Sequence, residues 1–247
     1  MVVGALDELL RRRPVRAVYV TPHHPYPTTV ALAAPRRLAL LALARAHRLV
    51  VFEDDYDHEL HFEGRPLLPL ASADAHRNVV YLGSLSKVLA PGLRIGYVVA
   101  PEPVIGHLAA VRRAIDRQGD LAMEAAVAEL LEDRDAERHA RRLRRIVHGR
   151  RDALVDALHQ RLGSALRFRV PAGGMTLWAK AAPDLDVEAW ANAALGEGVV
   201  IPTARRFTFD GGAKPFVRFG FAHATEEELR EAVVRLARAR GAARRAR

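Results

Sequence analysis

The chain has 247 residues, 50% of them hydrophobic, which is enough for one large α/β domain or two modest ones around a packed core. It has no cysteine, which excludes disulfides, thiolate catalysis and cysteine-ligated zinc. The formal charge of +9 invites a nucleic-acid reading, but much of the excess lies in Arg138–Arg151 and the tail Arg238–Arg247, which read as an exposed helix face and a frayed end without aromatic residues for base stacking.

Gly4 to Arg13 carries leucines at helical spacing before Pro14, and Ala17-Val18-Tyr19-Val20 then reads as a short buried strand. Thr21 to Thr29, with Pro22, Pro25 and Pro27, is too rich in proline for helix or central strand and is expected to be a shaped loop. The leucines of Ala34 to His47 predict a crossover helix to a strand at Leu49–Phe52, and a further connection reaches a strand at Val79–Leu82. Gly96–Ala100 reads as another strand, closed by Pro101, and Ala122 to Leu162 as a long helical stretch whose apolar stripe includes Leu130, Leu143, Ile146, Leu154 and Leu158. Strands at Leu166–Val170, Met175–Ala179 and Phe216–Phe221, with helices at Val187–Leu195 and Glu226–Ala239, make a compact α+β unit. The alternation of strands and helices in the first half predicts a mostly parallel sheet covered by helices on both faces. No apolar run approaches the roughly 20 residues of a membrane span, and the first residues lack a signal-peptide pattern, so a cytoplasmic protein is expected.

Two stretches carry candidate chemistry. Ser84-Leu85-Ser86-Lys87-Val88-Leu89-Ala90-Pro91-Gly92-Leu93-Arg94 follows an apolar strand, at the end where open α/β sheets hold their ligands. A composition with three lysines against 35 arginines has kept lysine at 87. A partly desolvated lysine amine can lose its proton and attack a carbonyl, which arginine cannot do; a solvated loop lysine is the other reading. Glu53-Asp54-Asp55-Tyr56-Asp57 closes a second apolar strand with several carboxylates, which repel one another unless a cation faces them. His23 and His24 are adjacent, and adjacent side chains of an extended segment point apart, so no metal centre is expected there. His58-Glu59-Leu60-His61 sets its histidines one position too close for the helical zinc-protease motif and reads as a solvated loop.

Taken together, the acidic stretch, the Ser84–Lys87 segment and Pro91-Gly92-Leu93-Arg94 resemble the pyridoxal-phosphate domain of the MocR-type regulators of the GntR family, themselves similar to class I/II aminotransferases of fold type I. The resemblance extends to Val18–Thr28, Pro171–Trp178 and Val217–Ala222. It implies an α/β fold: residues 1–117 as the C-terminal part of the large coenzyme-binding domain, and 118–247 as a linking helix and a small α+β C-terminal domain. It also implies an N-terminally truncated member, lacking a winged helix and the first part of the large domain.

The cofactor the resemblance implies is pyridoxal 5'-phosphate, held as an aldimine by Lys87, with Asp54 on the pyridinium nitrogen, Tyr56 on the phenolate oxygen, and Ser84, Ser86 and Arg94 on the phosphate. Arg218 resembles the clamp for a substrate carboxylate; an edge-strand arginine is its alternative, although strand alternation puts Phe219 and Phe221 on the opposite face. Tyr26 and Thr29 depart from the asparagine and glycine that the family has in the matching loop, so the contact made there is not carried over. The implied function is to bind coenzyme and an amino acid or amine, as a transaminase or as the sensor of a transcriptional regulator. The implied assembly is a homodimer that touches DNA only through a winged helix absent from this chain. A dimerisation module or a nonfunctional fragment without cofactor chemistry is the alternative.

Overall fold

The structure is a computed structural model that describes residues 1–64 and 67–245. It divides into two compact units, the first made of 1–25, 30–59 and 65–143 and the second of 26–29, 60–64 and 144–247. The boundary drawn from sequence at Arg117 lies in a turn of the first unit, and the division between the units falls within a long helix.

In the first unit, α1 (Val3–Arg12) is followed by β1 (Ala17–Val20), α2 (Ala34–His47), β2 (Val50–Asp55), α3 (Leu70–Ala73), β3 (Val79–Ser84) and β4 (Gly96–Val99). The strands form one sheet in the order β1-β2-β3-β4. β1, β2 and β3 are parallel, and β4 runs antiparallel to β3. The change of direction has a local cause: β3 and β4 are joined by the loop Leu85–Ile95, which has no crossover helix, so the chain turns straight back. Pro35 opens α2 at its first turn, and Arg48 ends it in the left-handed conformation. Leu40 and Ala44 on α2 pack with Val20, Leu49, Val51, Leu70 and Val79, and Leu6 and Leu10 of α1 lie against this cluster. The sheet is mixed and not wholly parallel, and all four residues of β4 are exposed.

The helical composition continues through α4 (Glu102–Ile115), α5 (Leu121–Glu132) and α6 (Asp135–Leu162). The single long stretch expected from Ala122 is therefore broken at Asp133–Arg134, where Arg134 has φ 59°. No glycine or proline marks the break. The expected stripe is only partly buried: Leu154 and Leu158 are in the core, joined by Val147 and Leu162, whereas Leu130 and Ile146 are exposed. α4 buries none of its residues.

The second unit contains the antiparallel sheet β5 (Leu166–Phe168), β6 (Thr176–Ala181) and β7 (Phe216–Gly220), with α7 (Val187–Gly196) packed on α8 (Glu226–Arg245). Trp190 is fully buried, and its indole N–H donates to the Leu236 carbonyl at 2.9 Å, which ties α7 to α8. Ala246 and Arg247, the end of the expected basic tail, lie outside the described residues. Among the described residues, no helix is long and apolar enough to cross a membrane.

Candidate functional site

β2 extends three residues further than its apolar run suggests, so Glu53, Asp54 and Asp55 are inside the strand and not beyond it. Alternation then divides the acids. Glu53 and Asp55 are buried on the face that carries Val51, and Asp54 lies on the other face, only partly buried. The Tyr19 hydroxyl on β1 donates a short hydrogen bond to Asp54 Oδ2. Desolvation of the hydroxyl, reinforced by Asp54, pushes the Tyr19 phenol up to about 12 although 61% of the residue is exposed. Tyr56, just past the end of β2, donates from its hydroxyl to the His24 carbonyl at 2.8 Å.

The Ser84–Arg94 segment is the loop between β3 and β4. Ser84 pairs with Gly96, and the Leu85 N–H donates to the Ile95 carbonyl at 3.0 Å, so the two limbs of the loop start side by side. Ser84 Oγ accepts the Ser86 N–H at 3.2 Å, and the Leu89 N–H donates to Leu85 O at 2.8 Å, which closes a turn around Lys87. Ser86 is buried, and Lys87 and Arg94 are exposed. Because β2 and β3 are parallel, with Asp54 opposite Leu82, their carboxyl ends coincide. Asp54, Tyr56, Ser84, Ser86, Lys87 and Arg94 thus belong to strand ends and loops at one end of one sheet. Gly83 makes this possible, because Tyr97 of β4 lies opposite it and a Cβ there would enter the Tyr97 ring.

Arg218 belongs to the second unit, in the middle of β7 opposite Trp178. Phe219 and Phe221 are buried, as alternation requires. The Arg218 guanidinium lies 4.4 Å over the ring of Tyr26, the residue that departs from the family pattern.

Sequence reasoning missed the buried polar layer on the other face of β2. Glu53 accepts the N–H groups of Leu70 and Ala71, at 2.7 and 2.9 Å, and so holds the start of α3. Burial pushes its carboxyl up, against those two donors. Arg37 is buried beside it and donates to the carbonyls of Leu32 and Leu68. Asp55 faces His23, His58 and the Tyr81 hydroxyl. Burial alone would raise the Asp55 carboxyl, but the two histidines overcome it and hold the group below the ordinary carboxylate range. His58 is half-buried and not in a solvated loop, and Leu60 after it is buried. His23 and His24 do not point apart as an extended segment would require: the chain bends there, their ring centroids are 6.4 Å apart, and His24 pairs with Asp57 at 2.9 Å. The alternation of Val50–Asp55 was the available signal, since it requires adjacent acids to sit on opposite faces.

The family model for aminotransferase class I and II matches residues 2–236. The chain is 34% identical over 241 residues to the 2-aminoadipate transaminase of Thermus thermophilus, covering 96% of this chain and 60% of that protein. It is 30% identical over 237 residues to the uncharacterized HTH-type transcriptional regulator YdfD of Bacillus subtilis, covering 94% of this chain and 49% of that one. The crystal structure of LysN, the alpha-aminoadipate aminotransferase of Thermus thermophilus complexed with N-(5'-phosphopyridoxyl)-L-leucine, superposes with a TM-score of 0.90 at 31% identity, covering 100% of this chain and 64% of that one. The chain spans less than two thirds of the length of each of these relatives. Proteins named as aminotransferases and as helix-turn-helix regulators thus match the same residues, and the chain belongs to the class I and II aminotransferase family, of fold type I.

Proposed function

We propose that this chain is a pyridoxal 5'-phosphate-binding, aminotransferase-like domain that recognises an amino acid or amine. Enzymes and regulators share the domain, so binding of coenzyme and amino compound is the function common to both, as transaminase in the one and as sensor in the other. The observation that carries the reading is the common carboxyl end of β2 and β3, with a carboxylate on one strand and the lysine loop on the other.

The donor set suits the coenzyme. Asp54 is a carboxylate for the pyridinium nitrogen, partly shielded and steadied by the Tyr19 hydroxyl. Tyr56 offers a phenol for the ring oxygen. Ser84, Ser86 and Arg94 offer hydroxyls and a guanidinium fork for the phosphate, and Lys87 offers its amine for the aldehyde. When bound, the coenzyme supplies an electron sink for bond breaking at the α-carbon of an amino acid. Lys87 is the group that would move a proton at that carbon, and Arg218 the group that would hold the amino acid's carboxylate. Residues 1–117 would form the coenzyme-binding part and 118–247 the linking helices and the smaller part. The assembly is a homodimer, and any DNA contact belongs to a winged-helix domain outside these residues.

The test is an absorbance titration with pyridoxal 5'-phosphate, followed by borohydride reduction and peptide mapping. Wild-type chain should develop a visible band and carry the reduced label on the peptide containing Lys87, and Lys87→Ala should do neither. A label distributed over other amines, or a band unchanged by Lys87→Ala, overturns the proposal.

A further inference from the structure

The buried cluster on the other face of β2 is independent of the coenzyme reading. His23 Nδ1 lies 3.1 Å from Asp55 Oδ1, and His58 Nδ1 lies 3.1 Å from Asp55 Oδ2. The two rings meet nearly edge to face, with centroids 5.0 Å apart. His23 Nε2 lies 2.6 Å from the Leu67 carbonyl, an acceptor only, so that nitrogen carries the proton and a neutral His23 turns a lone pair towards the cluster. This is the arrangement of a metal-ligating histidine, whose second nitrogen donates to a backbone carbonyl. His58 Nδ1 is also buried and faces the second carboxylate oxygen of Asp55 in the same way. Both imidazole nitrogens thus converge on one buried carboxylate, as the ligands of one cation would. Tyr81 donates to Asp55 Oδ2 at 3.1 Å, which fixes the carboxylate from the side.

We propose that His23, Asp55 and His58 bind a first-row divalent cation of zinc type. The three ligand atoms lie within 4.8 Å of one another. Bonds of about 2.0–2.2 Å in tetrahedral geometry set ligand atoms roughly 3.4 Å apart, so the site closes by up to about 1.4 Å on loading. His58 supplies that movement, since its side chain is 30% exposed while those of His23 and Asp55 are 7% and 0% exposed. Three protein ligands leave the fourth position of a tetrahedral ion open. Neutral imidazole and carboxylate ligands suit zinc, cobalt or nickel better than calcium or magnesium, which take oxygen donors. The bound cation would tie the loop after β1 to the end of β2, a structural role on the face of the sheet opposite Asp54.

The experiment uses the full chain, stripped with chelator and kept free of coenzyme. Zn²⁺ is followed by calorimetry and Co²⁺ by its visible ligand-field bands. The expected result is one saturable equivalent of either ion, cobalt bands of a four-coordinate centre, and a melting temperature that rises with zinc. His58→Ala should weaken binding by about 100-fold or more, since loss of a second-shell partner alone costs 10–100-fold. His107→Ala, on the exposed α4, should leave it unchanged. His58→Ala alters the least buried ligand, and the wild-type titration decides the matter even if the variant does not fold. Absence of a saturable equivalent in wild type, or binding that survives both His58→Ala and His23→Asn unchanged, overturns the proposal and leaves the cluster as two rings packed against a buried carboxylate.

Discussion

Tyr19 carries the most specific consequence at the scale of single residues. Its hydroxyl is hydrogen-bonded to Asp54, and its pKa of about 12 stands above the value near 10 of an unfolded tyrosine. The fold therefore holds the neutral phenol. Its contribution to stability is fully present below about pH 10 and is lost as pH rises towards 12. In a spectrophotometric titration, Tyr19 should still be protonated at about pH 11, and Tyr19→Phe should remove one late-titrating phenol. Loss of the same ordinary-pKa phenol in Tyr19→Phe would show that Asp54 does not hold the hydroxyl. Asp54 was legible because its motif is local in sequence. Tyr19 was not, because the pairing with β1 that brings it there spans 35 residues.

Among the elements, the break between α5 and α6 is the clearest departure from the sequence pattern. Helical composition runs through it, and the chain turns at Arg134 in a left-handed conformation that costs an ordinary residue about 1–2 kcal/mol. The Arg134–Glu137 ion pair, at 3.5 Å on an exposed surface, returns little of that cost. Arg134→Gly should relieve the strain and lose about 0.4–1 kcal/mol to the freer unfolded chain, for a net gain of roughly 0.5 kcal/mol. Arg134→Val should cost about 1 kcal/mol or more, because a β-branched residue tolerates this region worst. Denaturant midpoints that move the same way for both variants would show that the conformation at Arg134 does not set the break. Propensity is blind to such a site, since a stop without glycine or proline is imposed by what the flanking helices pack against.

Charge belongs to the whole molecule. Some of the helical arginines meet acids one turn away, as Arg141 meets Glu137, Arg230 meets Glu226 and Arg235 meets Glu231. Such pairs offset part of the charge that would otherwise track a phosphate backbone. Fluorescence anisotropy with duplex DNA should therefore show only weak, sequence-independent binding, with Kd above about 10⁻⁶ M at physiological salt and a steep loss between 50 and 200 mM. Tight or sequence-selective binding would assign this chain a DNA-contacting role of its own.

What the sequence by itself determined is local or periodic: the existence of the strands at Leu49–Phe52 and Val79–Leu82, the crossover helix between β1 and β2, the buried Phe219 and Phe221 opposite Arg218, and the motifs that mark the family. These follow from apolar periodicity and from residues close together in the chain. Tertiary structure alone decided the antiparallel return of β4, the turn at Arg134, the Tyr19–Asp54 bond and the meeting of His23, Asp55 and His58. Alternation in β2 sent Asp54 and Asp55 to opposite faces, and strand pairing and loop placement then chose their partners from residues far away in sequence. The adjacent histidines His23 and His24 pair with different acids, Asp55 and Asp57. The fold instead brings His23 to a histidine 35 positions along the chain, a pairing without any sequence period to announce it.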